Sequence, residues 1–239
     1  MKAKITKEDI LNILDKLYLQ TSKGIPKVSP PIEEVAKNYL EKKASKNDAA
    51  KSFINYQIAK CTTSGFLTSL GGIIVMPVAI PANISSVLYV QMRMIAVMAY
   101  MGGYDTDSDQ VQTLVYVCLA GISIDQILKK AGIQIGNKLA IAMIKKIPGQ
   151  VLIKINQKVG FRLLTKFGTK GIINLGKATP IIGGVIGGGF DLIESKAIAK
   201  RAYKLFIQND TSDILAEETE TEVPEETTGD ALGEDPANL

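Results

Sequence analysis

The chain has 239 residues, of which 46% are hydrophobic, and it contains no His and no Trp. The absence of His excludes Ser-His-Asp triads and every metal site built on imidazole, and two cysteines 57 positions apart (Cys61 and Cys118) exclude a zinc ribbon or a disulfide scaffold. The formal net charge is +4, but residues 1–208 carry +15, whereas residues 209–239 hold eleven acids and no base. We therefore expect no cofactor, no metal and no recognisable catalytic residue.

The ratio of lysine to arginine indicates which class of partner the basic residues would bind. Of the 28 bases only Arg93, Arg162 and Arg201 are arginine, and aromatic residues make up 6% of the chain. Nucleic-acid readers depend on arginine forks and on stacking aromatics, so no nucleic-acid partner is expected. Diffuse lysine charge beside apolar helices fits an anionic lipid surface better, although a solvated face that binds nothing explains it equally well.

The two ends of the chain differ in character. The N-terminal sequence MKAKITKEDILNILDKLY is interrupted by acids and lacks the apolar region of a signal peptide, which predicts a cytoplasmic protein with reduced cysteines. Residues 209–239 predict a disordered acidic tail. This tail either stays solvated without a partner, folds back onto the basic body, or keeps an adhesive protein soluble.

Helical periodicity runs through the first part of the chain. Thr6-x-x-Asp9 resembles a capping box and predicts a helix whose apolar stripe runs to about residue 19 and which Gly24 and Pro26 end. Ser29 followed by Pro30 predicts a second helix through residue 40, and a third is predicted over 49–70.

The centre of the chain is apolar, with 32 consecutive uncharged positions over 61–92. A helix that spans a membrane needs about 20 apolar residues, so the run is long enough. Glycines and prolines interrupt it, however, and proline inside a helix costs about 3 kcal/mol. We predict a helix that ends at Gly71-Gly72, a connector over 73–80, and a new helix from Pro81 to Met101.

Further helices are predicted over 110–130, 134–147, 150–166 and 190–208, with a glycine-rich stretch, TPIIGGVIGGGF, at 179–190. No sustained strand alternation and no Asn-Gly or Asp-Gly turn occurs. The predicted fold is therefore all-α: a multi-helix bundle over residues 1–208, forming one domain, with two Gly/Pro-rich apolar connectors.

Two blocks of the chain are similar to the EcsC family. One is GFLTSLGGIIVMPVAIPANISSVLYVQMRMIAVMAYMGGYDTD at 65–107, and the other is KATPIIGGVIGGGFDLIESKAIAKRAYKLF at 177–206. The resemblance implies a bacterial, all-helical protein of the kind encoded near an ABC transporter. The family has no defined activity and no agreed catalytic motif, so the resemblance assigns no functional residue.

Glycines spaced four apart mark the second block: Gly183 with Gly187, and Gly184 with Gly188. Small residues at this spacing share one helix face and allow close helix packing, either within a soluble bundle or in a membrane. The candidate membrane or partner contacts are Gly71, Gly72, Pro77, Pro81, Pro180, Gly183, Gly184, Gly187 and Gly188.

Three functions follow. The leading hypothesis is a non-enzymatic helical protein that associates peripherally or conditionally with the cytoplasmic face of a membrane or with a membrane protein. The alternative is a soluble bundle that binds a lipid or a small apolar ligand in an internal pocket lined by the apolar connectors. The third is an enzyme, which would require Asp125, Asp191 or Glu194 to be buried beside a lysine in a cleft. We expect Asp125 to be exposed and both cysteines to act as small hydrophobes.

Overall fold

The computed structural model describes residues 6–62, 82–134, 136, 141–167 and 185–216, with the backbone alone at 61–62, 82–85, 167 and 185–192. The helices in these residues are α1 (Lys7–Lys23), α2 (Ile32–Glu41), α3 (Lys46–Thr62), α4 (Ala82–Met101), α5 (Asp109–Ala120), α6 (Asp125–Lys130), α7 (Ile141–Ile144), α8 (Gly149–Phe167), α9 (Val185–Ala202), a π-helical turn (Tyr203–Ile207) and α10 (Ser212–Leu215). The described residues contain no β-strand, which confirms the predicted all-α bundle.

Helix α1 begins at the predicted capping box. The Thr6 hydroxyl accepts a hydrogen bond from the Asp9 amide at 3.1 Å, and the Asp9 carboxylate accepts one from the Thr6 amide at 2.9 Å. The helix stops at Gly24, as predicted, and the φ of +75° at this position suits glycine. Its buried stripe includes Leu14 and Leu17.

Helix α4 forms the centre of the bundle, in agreement with the helix predicted up to Met101. Every side chain from Leu88 to Ala99 is buried, so the helix is enclosed by neighbours on all sides. Helices α1, α2, α3, α5 and α9 and the π-helical turn pack against it. A helix that is apolar all round is expected to occupy such a core position.

One predicted helix is divided in two. Residues 110–130 form α5 and α6, because Gly121 takes a left-handed conformation with φ of +63° and ends α5. A side chain at this position would also meet the Arg201 guanidinium, since an added Cβ would lie 2.7 Å from its nearest nitrogen.

The remaining predicted helices agree in part. The helix predicted over 150–166 is confirmed as α8, whereas within 134–147 the described residues are helical only at Ile141–Ile144. Helix α9 begins at Val185, five residues earlier than predicted, and passes into the π-helical turn. The helix predicted over 49–70 is described as far as Thr62.

The two resemblance blocks meet at their C-terminal ends. Gly102, which follows α4, lies so close to the π-helical turn that an added Cβ would be 2.2 Å from the Phe206 carbonyl oxygen. The Tyr104 ring packs edge-on against the Phe206 ring, with centroids 5.1 Å apart, and the Tyr104 hydroxyl donates to Asn209 at 2.6 Å.

Residues 209–216 belong to the packed body, although the sequence assigns them to the tail. The Ile214 side chain is 1% exposed, and its carbonyl accepts a hydrogen bond from the Ile124 amide at 2.8 Å. Lys204 and Asp213 form an ion pair at 2.9 Å. Residues 217–239 lie outside the described part of the chain, so their disorder stays a prediction.

Candidate functional site

The solvent side of α8 combines basic and apolar side chains. Helix α8 contains no Asp or Glu, and its four bases, at Lys154, Lys158, Arg162 and Lys166, are each four residues apart. Residues at this spacing form one stripe along a helix. Beside the stripe Ile153 is 58% exposed and Phe161 is 44% exposed.

The opposite side of α8 fixes this orientation. Ile155, Val159 and Leu163 are buried, and α1 and α5 pack against the helix. The N-terminal part of α1 crosses closely at Gly160, where an added Cβ would lie 3.3 Å from Leu11 and 3.4 Å from the Lys7 carbonyl oxygen. This crossing leaves Phe161 at the surface, with the Lys7 ammonium 5.7 Å from the centre of its ring.

The four bases of α8 differ in their surroundings. Lys158 donates to the Ser123 carbonyl at 3.0 Å, and Lys166 pairs with Glu194 of α9. Lys154 and Arg162 are exposed. We define the α8 face as Ile153, Lys154, Phe161 and Arg162.

The sequence contains a signal for this face that its helical periodicity alone does not give. Residues 126–190 include eleven Lys or Arg and no Asp or Glu, although the whole chain has nearly as many acids as bases. A stretch of one charge sign produces a local field that the net charge of +4 conceals.

A cavity of about 280 Å³ lies between the loop that precedes α2 and helices α2, α3 and α4. Its apolar lining includes Val28, Val35, Val90 and the edge-on pair of Tyr39 and Phe53, whose rings are 5.3 Å apart. The polar lining residues are Ser29, Glu34, Asn38, Tyr56, Gln57, Lys60, Tyr89 and Arg93.

Arg93 is a basic side chain buried in the bundle, with 6% of its surface exposed. It donates to the carbonyl of Thr21 at 3.2 Å and to the carbonyl of Pro30. Thr21 lies in the last turn of α1, where carbonyls lack partners within the helix, so Arg93 joins α1 to the loop before α2. Burial lowers the pKa of the guanidinium, and the nearby Tyr89 and Glu34 partly offset this effect.

Further polar groups of the cavity come from α3 and α4. Gln57 is 6% exposed, and its amide has no hydrogen-bond partner among the residues that the structure describes. The Tyr89 hydroxyl forms a 2.6 Å hydrogen bond with Ser29. At the mouth, the Lys60 ammonium lies 4.5 Å from the centre of the half-exposed Tyr56 ring.

Most of the candidate membrane or partner contacts predicted from the sequence lie outside the described residues. Gly71, Gly72, Pro77, Pro81, Pro180, Gly183 and Gly184 lie outside the described residues, and Gly187 and Gly188 lie in the first turn of α9. The expectation that both connectors line a pocket therefore stays a prediction. The cavity found here uses different residues, and no periodicity in the sequence pointed to it.

Two of the three acids considered for catalysis, Asp125 and Glu194, form ion pairs with lysines. The prediction that Asp125 is exposed is wrong, because its side chain is 13% exposed and lies 2.5 Å from Lys129 on the next turn of α6. Glu194 is bound by Lys166, whereas Asp191 lies in the stretch of α9 described by its backbone only. Cys118 is fully buried, as predicted, and burial raises the pKa of its thiol to about 12.

Two properties of the described residues bear on the predicted classes of function. Within those ranges, none of the helices has the length and apolarity needed to cross a bilayer. Over the same ranges, no group of three or more Cys, Asp or Glu side chains is arranged to hold a metal ion. Comparisons with family models, with curated proteins and with solved structures found no match to this chain.

Proposed function

We propose that this chain is an EcsC-like binding protein that associates peripherally with the anionic cytoplasmic face of a membrane through the α8 face. The observation that carries the proposal is the exposure of Ile153 and Phe161 beside Lys154 and Arg162 on a helix without acids. Basic side chains attract anionic headgroups, and apolar side chains enter the boundary between headgroups and acyl chains.

The expected energies are those of reversible binding. A Lys or Arg near an anionic leaflet contributes about 1 kcal/mol. Full burial of a side chain such as Phe contributes about 1.5–3 kcal/mol, of which the half-exposed Phe161 can gain only a part. Such a sum supports conditional association that depends on lipid charge and on salt.

The exposed apolar residues distinguish a membrane from a nucleic acid. Duplex nucleic acids are bound through phosphate contacts that Lys and Arg supply, and Ile153 has no role in such contacts. A lipid surface uses both kinds of side chain on the α8 face, so we favour it as the partner.

The test is co-sedimentation of the full chain with vesicles of phosphatidylcholine alone and with vesicles that also contain phosphatidylglycerol. We expect binding to the anionic vesicles only, weakened as salt shortens the Debye length below about 10 Å. Replacing Lys154 and Arg162 with Gln should weaken binding by about 30-fold, from about 1 kcal/mol per charge.

The matched control replaces Lys42 and Lys43 with Gln, which removes two exposed charges from the α2–α3 loop. This control should bind nearly as well as the original chain. Equal losses in both variants would show that only net charge matters, and would overturn the role of the α8 face. Stronger salt-dependent binding to duplex DNA than to anionic vesicles would overturn the choice of partner.

A further inference from the structure

The cavity between α2, α3 and α4 carries an inference separate from membrane association. Its polar groups are positioned as in a binding site, because two largely buried side chains with unused hydrogen-bonding capacity line the same open cavity. The nearest counter-charge to the first side chain is the exposed Glu34, which is not within ion-pair distance, and the described residues give the second no hydrogen-bond partner.

The first buried group is the Arg93 guanidinium. It has five N–H donors, of which two bind backbone carbonyls, and the Tyr89 hydroxyl also interacts with the guanidinium, so at least two donors are left for other partners. Among the described residues, no carboxylate lies within ion-pair distance of Arg93. The exposed Glu34 carboxylate balances the buried charge only in part, from beyond ion-pair distance, and an anionic ligand in direct contact would lower the remaining cost of burial.

The second group is the Gln57 amide, whose residue is 6% exposed and which forms no hydrogen bond with the described residues. Gln57 can donate through its NH₂ group to an anionic oxygen. Arg93 from α4 and Gln57 from α3 therefore offer donors to the same space.

The remaining walls indicate the rest of the ligand. Val28, Val35 and Val90 and the Tyr39–Phe53 pair provide apolar and aromatic surface suited to a flat group. The volume of about 280 Å³ is near the lower end of the range for ligand sites. It accommodates a single small ring system and is too small for a whole phospholipid.

We propose that this cavity binds a small organic anion, a carboxylate or phosphate monoester on an aromatic or similarly flat group, with Arg93 and Gln57 holding the anionic oxygens. The exposed carboxylate of Glu34 lies at the same cavity and is the competing partner for Arg93. A bound anion would replace Glu34 as the negative charge nearest to Arg93, and the Glu34 carboxylate would stay in solvent.

The test uses the full chain and titrates phenyl phosphate and benzoate by calorimetry, with benzyl alcohol as the neutral analogue of the same ring. We expect both anions to bind and benzyl alcohol to bind at least about tenfold more weakly, because it lacks the charge-assisted hydrogen bonds. No heat with either anion up to about 10 mM, the weakest affinity expected of so small a ligand, would overturn the proposal.

The decisive variant is Gln57→Leu, which keeps the side-chain size and removes no hydrogen bond between described residues. It should fold normally and bind phenyl phosphate about tenfold more weakly. Asn55→Leu, at an exposed position of the same helix, should bind as the original chain does. Equal affinity in Gln57→Leu and the original chain would refute the site.

Arg93→Lys tests the guanidinium, but this variant also loses one of the bonds that tie α1 to the loop. The folding of Arg93→Lys is therefore checked first by circular dichroism. If Arg93→Lys does not fold, the Gln57→Leu result alone decides the test. The anion can come from a free molecule or a lipid headgroup, so dihexanoyl phosphatidic acid below its micelle concentration is titrated as well. If this lipid binds more tightly than phenyl phosphate, and Gln57→Leu loses that binding, the natural ligand is a lipid headgroup. If the lipid binds more weakly, the natural ligand is a free anion.

Discussion

The packing of the C-terminal turn against the end of α4 leads to a sharp prediction at Gly102. Replacing Gly102 with Ala places a Cβ 2.2 Å from the Phe206 carbonyl oxygen and 2.9 Å from the Tyr104 ring. A backbone oxygen cannot rotate away as a side chain can, so the π-helical turn or the end of α4 must shift. Such overpacking costs about 1–3 kcal/mol.

The same substitution also restricts the unfolded chain, which returns about 0.4–1 kcal/mol. The balance is a loss of about 1–2 kcal/mol, and for a chain of this size each kcal/mol lowers Tm by about 2–4 °C. We therefore expect Gly102→Ala to melt about 2–8 °C below the original chain in circular dichroism or calorimetry.

Gly149→Ala is the matched control, because nothing lies within 4 Å of an added Cβ at Gly149 and this glycine begins α8. It should melt at the same temperature as the original chain or slightly above it. A Gly102→Ala variant that melts no lower than the Gly149→Ala variant would refute the close packing of Phe206 on α4.

Three further predictions follow. Replacing the nine acids of residues 217–239 with amides raises the formal charge from +4 to +13 and should strengthen binding to phosphatidylglycerol vesicles; unchanged binding would mean that the tail does not influence the α8 face. Cys118 should resist iodoacetamide in the folded chain and react on unfolding, as mapped by peptide mass, because burial raises the pKa of its thiol to about 12. The pKa of Asp9 is lowered by hydrogen bonds from Thr6, so its stabilising effect is present above the unfolded pKa and is lost as pH falls through the folded one; Thr6→Ala should return the pKa, measured by NMR, towards 3.8.

Local patterns in the sequence were sufficient for most of the helices. The capping box at Thr6 and Asp9 and the apolar run into α4 gave the correct elements, because these signals act within a few residues. A helix boundary was missed where the conformation of a single residue ends the helix. Gly121 ends α5 in a left-handed turn, and the uncharged neighbours on both sides concealed that break.

The cavity could not be predicted from the sequence, because its groups come from distant parts of the chain. Arg93 contacts the carbonyl of Thr21, 72 positions earlier, and Tyr89 contacts Ser29, 60 positions earlier. Each residue alone has an ordinary interpretation: Arg93 is the first charge after a long apolar run, and Gln57 is one of several polar residues of α3. Only the packing of α2, α3 and α4 gives them a common role.

The two proposed sites occupy different helices, and α1 connects them. The α8 face rests on α1 and α5, whereas the cavity lies between α2, α3 and α4. Arg93 nevertheless bonds to the last turn of α1, the same helix whose first turn crosses α8 at Gly160. A ligand that draws Arg93 away from Thr21 would loosen one end of α1 while the α8 crossing holds the other. Coupling between the sites therefore requires α1 to move as a rigid element, and independent binding at the two sites would show that it does not.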